Sequence, residues 1–533
     1  MKTTDKSTII QVNNKENKEL PLEDKIALLT QENEELTAKL NWYEEQFRLS
    51  QQKRFGASSE KSNSNYISLF NEAEDEAQTK QKEPLLEEIT YKRPKGKNKN
   101  KKKKSFDDLP VEVIEYHLDK SEQLCPQCGN KLHVMSKEIR KELKVIPAQV
   151  KVVEHVRDVY ACRNCEKENI TTPIVTAKMP NPVLKGSFVS PSLMAYIMYR
   201  KYCEAVPLYR QEKQFNNFGI DLSRQNLANW VIHGANNWLK HLYDRMHIYL
   251  LKEDVLHADE TTIQVLSEKG KAARSKSYMW LYATGSFGPP IFMYEYQASR
   301  ANEHPRKFLT GFKGFLQTDG YAGYNSVQNV TLVGCFAHAR RGFSDALKAL
   351  PKGSVKTRTN AQEGLDYCNR LFQIERNLKN LSAEERYEKR LEQSKPVLEV
   401  FLSWLKTKEQ QVLPKSSLGK AIKYCLNQWP KLESFLLDGR LEISNNRAER
   451  AIKPFVIGRK NFLFSKSTKG ATASAITYSI IETAKANSLN PFFYLNYLFE
   501  KLPNIDLKNM EQLDELLPWA QSIPKECKIP NNN

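Results

Sequence analysis

No run of about 18 apolar residues occurs anywhere in the chain, which excludes a bundle of membrane-spanning helices. The first ten residues lack the apolar stretch of a secretion signal, so secretion is not expected. Cysteine is sparse, nine in 533 residues, and with no signal segment a disulfide framework is not expected. No internal repeat is visible, which excludes solenoids and propellers. Acids are fewer than bases, 63 against 81, for a net charge of +18. Half of that surplus sits in one acid-free run, where Lys92, Arg93, Lys95, Lys97, Lys99 and Lys101 to Lys104 carry nine positive charges. Such a run marks an arm that touches a polyanion, or a bland solubilising stretch, and the overall balance makes nucleic acid the leading partner. Hydrophobic residues at 40% and aromatics at 10% exclude a wholly disordered chain. The length predicts about three or four domains.

Residues 1–50 read as a polar tail followed by a heptad segment. Ile26, Leu29, Asn33, Leu36, Leu40, Tyr43 and Phe47 alternate at spacings of three and four, the seam of a coiled coil with Asn33 fixing register. A single amphipathic helix packed on its own protein is the competing expectation. Residues 51–105 read as linker carrying the basic run. Residues 106–180 change to short β-like runs, Lys144–Val153 and Val156–Ala161 among them, in a small zinc-binding module. Residues 185–247 are helical. Leu208–Phe215, the turn Phe218-Gly219-Ile220 and Ser223–Trp230 have the shape of a helix-turn-helix, with Arg224, Gln225 and Asn229 outward and Ser223 as cap. Any antiparallel helix pair has a similar pattern.

From 250 to 350 the order is three strands, a helix, a strand, a short helix, a strand and a helix. That order predicts an α/β ribonuclease H-like catalytic core, first part. Residues 351–440 read as helical, 441–475 as the start of another helix, and 476–533 as a C-terminal helical region running to about 502 and then a polar tail.

Two cysteine pairs, Cys125 with Cys128 and Cys162 with Cys165, supply four thiolates at turns, the closed tetrahedral set of a structural zinc. Asp259 lies inside an apolar strand, where an acid is costly unless it serves or is paired. Asp259 and its neighbour Glu260 must point to opposite faces of a regular strand. Asp319 ends the fourth strand, adjacent to the first in this topology. Two such carboxylates repel unless a hard divalent cation, Mg²⁺ or Mn²⁺, sits between them. Glu449 is the candidate third acid, with Asp438 and Glu442 as rivals. Asn446 and Glu449 also have the spacing of a capping box, which would leave Glu449 closing its own helix. Arg447, Arg450, Lys453, Arg459 and Lys460 surround this segment with positive charge, as a phosphate-handling surface requires. Cys335 and His338 could begin a metal site. Phosphate or acid contacts from Arg340 and Arg341 are the stronger expectation there.

These residues fall in an order that resembles the transposases of the insertion sequence 66 family. The matching pieces are the heptad segment followed by Lys53-Arg54-Phe55-Gly56 and Ser58-Ser59-Glu60-Lys61, and the double cysteine-pair module. Then come His257-Ala258-Asp259-Glu260-Thr261, Thr318-Asp319-Gly320-Tyr321, and Cys335 through Arg341. Last are Asp438-Gly439-Arg440, Asn445 through Arg450, and Ile481-Glu482-Thr483-Ala484-Lys485. The resemblance covers about residues 20–500. It implies a DDE-type transposase with Asp259, Asp319 and Glu449 as the metal-binding triad, a helical insertion at 345–440 before the helix carrying Glu449, and 441–475 as the catalytic helix segment that completes the core. Lys453 stands where arginine is expected and Thr262 where proline is common; neither touches the triad. The expected activity is binding of terminal inverted repeats, metal-dependent 3′-end cleavage and strand transfer into target DNA. The expected partners are DNA, a second copy of the chain or more, and accessory proteins encoded beside it. A zinc-containing DNA-binding regulator without catalysis and a ribonuclease H-like nuclease that cuts without joining are the alternatives.

Overall fold

The structure is a computed structural model that describes residues 149–161, 174–350 and 358–530, together with scattered positions between 26 and 47. The basic run, the linker and all four paired cysteines lie outside the described residues. Two compact units divide the chain, residues 58–178 with 530–533 and residues 1–57 with 179–529. Among the described residues no helix is long and apolar enough to cross a membrane.

In the smaller unit, β1 (Val159–Ala161) pairs antiparallel with β2 (Ile174–Thr176). The strand expected to end at Val153 is not regular over 149–153, and the one expected from Val156 starts only at Val159. Val152 and Val156 remain 89% and 86% exposed. With no apolar surface to cover their side chains, high β propensity does not organise them.

In the larger unit, the described positions between Ile26 and Phe47 are helical. The apolar residues of the heptad seam stand 54 to 66% exposed, so this stripe is not packed on the protein's own core.

The first helices of the main body begin at α1 (Pro191–Tyr202), where Ser190 accepts a hydrogen bond from Leu193 N and Pro191 occupies the first turn. α2 (Leu208–Asn217) and α3 (Arg224–His233) are joined by a turn at Gly219, whose φ of +76° suits a residue without Cβ. Ser223 caps α3 by accepting from Asn226 N. Arg224, Gln225 and Asn229 are exposed, while Leu227, Trp230 and Val231 face inward. α3 widens into a π-helical turn, Gly234–Leu239, before α4 (Lys240–Leu250). A Cβ at Gly234 would lie 2.6 Å from Met194 Sδ, so glycine lets this helix approach α1.

The sheet is built on the long strand β3 (Val255–Ser267). β4 (Lys276–Thr284) pairs antiparallel with it and β5 (Phe292–Gln297) antiparallel with β4. After the short helix α5 (Glu303–Phe308), β6 (Gly314–Gln317) runs parallel to β3 on its other side, and β7 (Val330–Val333) parallel to β6. The spatial order is β5-β4-β3-β6-β7. α6 (Phe336–Lys348) leaves β7 directly.

α7 (Asn360–Asn377), α8 (Ala383–Glu409) and α9 (Ser417–Glu433) follow, with a second apolar core of Phe343, Phe401, Leu405 and Trp429 among others. Ser382 and Glu385 form a reciprocal capping box at the start of α8. Fully buried Arg390 pairs with Glu375 and also donates to the carbonyls of Phe435, Asp438 and Leu441. It thereby ties the helical stretch to the segment that returns to the sheet.

That segment leads into α10 (Asn446–Phe462). A short strand, β8 (Ser465–Ser467), pairs with the far end of β3. α11 (Thr468–Ala486) is buried along nearly its whole length beside β5, and α12 (Pro491–Lys501) packs on α1. The chain past 502 is not the expected polar tail. Leu513, Leu516, Leu517 and Ile523 are buried in the main core, around the short helix α13 (Met510–Asp514). Asp514 binds Arg245 and Tyr249 of α4.

Candidate active site

The register of the central strands brings the first two acids together. His257 of β3 stands opposite Gln317, the last residue of β6. Asp259 and Asp319 each come two residues after that last β3–β6 pair, Asp259 still paired with Leu281 of β4. Asp319 Oδ1 accepts from Tyr321 N at 2.8 Å, which turns the chain sharply after β6. Asp259 Oδ1 accepts from Glu260 N at 2.8 Å. A little of the Asp259 side chain reaches solvent, yet its carboxyl is desolvated. Burial chiefly, with the charges of Glu260, Asp319 and Glu449, pushes it up to about 8. A carboxyl raised by burial and neighbouring charge is returned to its ionised form by a cation placed beside it.

Glu260 points away, as strand alternation requires. It pairs with Arg300, and Tyr324 Oη donates to its Oε2 at 2.6 Å. The Arg300 guanidinium lies 3.8 Å from the centre of the Tyr321 ring. Glu260 is therefore occupied in a structural network next to the acids.

Glu449 comes from α10 near enough for its charge to act on Asp259, and the segment before that helix is welded to three elements. Gln317 of β6 donates to Glu442 O and accepts from Glu442 N. Phe336 N, at the start of α6, donates to Ile443 O at 3.0 Å. Asn445 N donates to Cys335 Sγ at 3.1 Å. The Asn445 side chain completes the joint, since Nδ2 donates to Ala258 O at 2.8 Å while Oδ1 accepts from the fully buried His257 ring at 3.0 Å. That assignment places the His257 proton on Nδ1. Burial lowers the affinity of the ring for a second proton, so it is neutral at pH 7. Asn445 thus links the strand residue just before Asp259 to the helix that carries Glu449.

The capping-box expectation for Glu449 is not met. The residue preceding α10 is Asn445, without a side-chain cap, and Glu449 is the fourth residue of the helix. Its Oε1 is buried with no hydrogen-bond partner among the described residues, and its Oε2 lies 3.9 Å from Arg341. Of the rival acids, Asp438 is held by Arg440, which also pairs with Asp254. Those bonds draw its carboxyl below the usual range, although burial alone would raise it. Glu442 accepts from Ser286 Oγ at 2.6 Å.

The basic residues divide into two groups. Arg340, Arg341, Arg450, Lys453 and Lys460 are exposed. Arg447 and Arg459 are half-buried and partnered inward. Arg447 Nε donates to Thr284 O at 2.5 Å, and Arg459 Nη1 donates to the Thr262 carbonyl. These two hold α10 against β4 and β3, a packing role that charge counting alone does not reveal.

Asp259, Asp319 and Glu449 carry oxygen donors of the kind a hard divalent cation takes. Asp259 is raised chiefly by burial and further by the charges of Glu260, Asp319 and Glu449, while the buried Glu449 Oε1, without a hydrogen-bond partner among the described residues, faces His338. Sequence reasoning missed the roles of His257, Asn445 and Arg300. The first two lie in recognisable motifs, but only the cross-strand placement shows what they hold.

Comparison with known families gives the chain its relatives. Residues 186–473 match the model described as transposase IS66 family. Residues 122–166, which contain both cysteine pairs, match the zinc-finger binding domain of transposase IS66, in support of a structural zinc. Residues 479–519 match the IS66 C-terminal element, and 42–114 a model described as transposase C of IS166 homeodomain. Two relatives from Sinorhizobium fredii are uncharacterised proteins. The one designated y4hP is 33% identical over 413 residues, covering 74% of this chain and 73% of its own. The one designated y4jD is 31% identical over 430 residues, covering 77% and 81%. With a match that spans more than half of its length and takes in the sheet, the insertion and α10, the chain belongs to the transposase IS66 family.

Proposed function

We propose that this transposase binds the terminal inverted repeats of its insertion sequence, cleaves their 3′ ends and joins them to target DNA. The supporting observation is that the buried Asp259 carboxyl feels both Asp319 and Glu449, which come from distant parts of the sequence. The strand order β5-β4-β3-β6-β7, with α10 across it, supports a ribonuclease H-like core for this chemistry.

In this proposal Asp259, Asp319 and Glu449 hold Mg²⁺ or Mn²⁺. Bound there, the cations supply an activated oxygen nucleophile and charge neutralisation at the scissile phosphate. The protein's own share is orientation. His257 and Asn445 fix the distance between Asp259 and Glu449, and Arg300 keeps Glu260 out of the cluster. Arg340, Arg341, Arg450, Lys453 and Lys460 neutralise backbone phosphates, which positions the duplex without reading it. Arg224, Gln225 and Asn229 present a polar helix face suited to base edges. Cys125, Cys128, Cys162 and Cys165 hold the zinc that folds the small module. The exposed seam between Ile26 and Phe47 pairs two copies, as the bringing together of two DNA ends requires. The chain works in the cytoplasm on nucleoid DNA.

End-labelled inverted-repeat DNA tests the assignment. Asp259→Asn, Asp319→Asn and Glu449→Gln should each bind the ends as wild type does and yield no cleaved 3′ end. Retained cleavage in any one of them removes that residue from the site. Wild-type protein that cuts without forming strand-transfer products is a nuclease, and one that binds without cutting under any divalent cation is a regulator.

A further inference from the structure

We propose that Cys335, His338 and Glu449 form a second metal site, selective for a thiophilic divalent ion of the zinc class and distinct from the hard-cation site of the three acids. Cys335 precedes α6, His338 stands in the first turn of that helix, and Glu449 arrives from the first turn of α10. The sulfur, a ring nitrogen of His338 and a Glu449 carboxylate oxygen all lie within 4.8 Å of one another. His338 Nδ1 and Glu449 Oε1 face each other at 3.9 Å, too far for a hydrogen bond. Both atoms are buried, and neither has a partner among the described residues. Two buried polar atoms left facing each other across a gap are unfavourable unless something fills it.

A zinc-class ion fills it with suitable geometry. Bonds of about 2.3 Å to sulfur and about 2.0–2.1 Å to nitrogen and oxygen require the three atoms to draw together by roughly 1 Å. Side-chain rotation covers that distance. A thiolate and an imidazole with a single carboxylate select zinc, cobalt or cadmium over magnesium. Three protein ligands leave a fourth position open to water or to a phosphate oxygen. Arg341 stands on the other carboxylate oxygen and leaves Oε1 to the pair.

The consequence depends on the proposed function above. Glu449 is common to both sites, and its Oε1 cannot face Cys335 and His338 while serving Asp259 and Asp319. Zinc at the second site therefore withdraws the third acid from the hard-cation site and inhibits cleavage.

The test uses the full chain, purified with its zinc finger loaded and dialysed against Zn²⁺. Wild type should retain one more zinc per chain than Cys335→Ser or His338→Gln, with circular dichroism showing that both variants are folded. If the buried Cys335→Ser variant unfolds, the part-exposed His338→Gln carries the comparison. Equal zinc content in wild type and a folded variant overturns the site. A second measurement follows Mn²⁺-supported end cleavage as Zn²⁺ is added, each protein against its own uninhibited rate. Losing even an outer partner of a metal ligand weakens binding by about 10–100-fold, so losing a ligand should raise the inhibitory zinc concentration about tenfold or more. Identical inhibition curves overturn the coupling to Glu449. A wild-type protein that cleaves nothing in Mn²⁺ refutes the transposition proposal, while the zinc count alone decides the metal site.

Discussion

Asp259→Asn should make the metal-free protein more stable, by an amount that grows with pH. In the folded chain burial and three neighbouring carboxylates push Asp259 from the ordinary value of 3.8 to about 8. Between those two values the unfolded chain releases the proton and the folded chain keeps it. Folding is therefore penalised progressively as pH rises from about 4 to about 8, and the penalty is absent below the unfolded value. At 1.36 kcal/mol per unit the full difference at pH 7 is about 4 kcal/mol, an upper bound because water entry and side-chain movement relieve part of it. If half survives, and a unit of this size gains about 2 °C per kcal/mol, the variant should melt about 4 °C above wild type at pH 7. Its amide oxygen can still accept from Glu260 N, so no local bond is lost. Differential scanning fluorimetry of chain freed of added magnesium and manganese, from pH 5 to pH 8, measures the gap. Added Mn²⁺ should then raise the melting point of wild type and leave that of Asp259→Asn almost unchanged, since a ligand stabilises only the form that binds it. Parallel pH curves, or a variant less stable than wild type at pH 8, would falsify the electrostatic account of the acid cluster.

Three further perturbations probe what positions the site and the assembly. Asn445→Ala orphans the His257 ring N–H and Ala258 O, and should destabilise the chain by about 2–4 kcal/mol in urea while abolishing end cleavage; a destabilised variant that cuts at the wild-type rate shows that Asn445 is structural only. Arg390→Met leaves Glu375 without this buried ion pair and removes one donor from each of three carbonyls, and should destabilise by about 3–5 kcal/mol, read from the denaturation midpoint. Leu29→Glu with Leu36→Glu places charge on the exposed seam and should lower the mass measured by sedimentation toward that of one chain, with an unchanged mass excluding the seam as the contact between copies.

The candidate acids were legible because their signals are local. An acid in an apolar strand, an acid at a strand end before Gly320 and an acid in the Asn445–Arg450 segment say little singly and point to a cation site only as a constellation. Alternation along β3 was sufficient to separate Asp259 from Glu260. The order of strands was legible too, because each is bounded by a turn signal such as Gly285 to Pro289 or Asp319-Gly320. The helix-turn-helix pattern at 208–230 was likewise written in its Gly219 turn and its Ser223 cap.

What the sequence hid is what distant residues do to one another. Arg447 and Arg459 belong to a cationic cluster by composition, yet the carbonyls of Thr284 and Thr262 draw them inward. Cys335 and His338 lack a second ligand pair nearby in sequence, and the third donor comes from more than a hundred residues away. The last turns of the chain read as polar because Leu513, Leu516 and Leu517 are set among acids, and their burial depends on the face that α4 and α12 offer them.

One physical cause connects these cases. The segment before α10 has no regular structure of its own, and it obtains its hydrogen bonds from β3, β6 and the start of α6. A residue such as Asn445 therefore carries its meaning in partners that no local pattern encodes. The same wiring gives the site its precision, because Asp259 and Glu449 are set by bonds one residue removed from Asp259 and four removed from Glu449. A change at Asn445 moves both acids, whereas a change at exposed Arg450 moves neither. Fidelity of the cluster should thus fail through His257 and Asn445 before it fails through the surrounding charge.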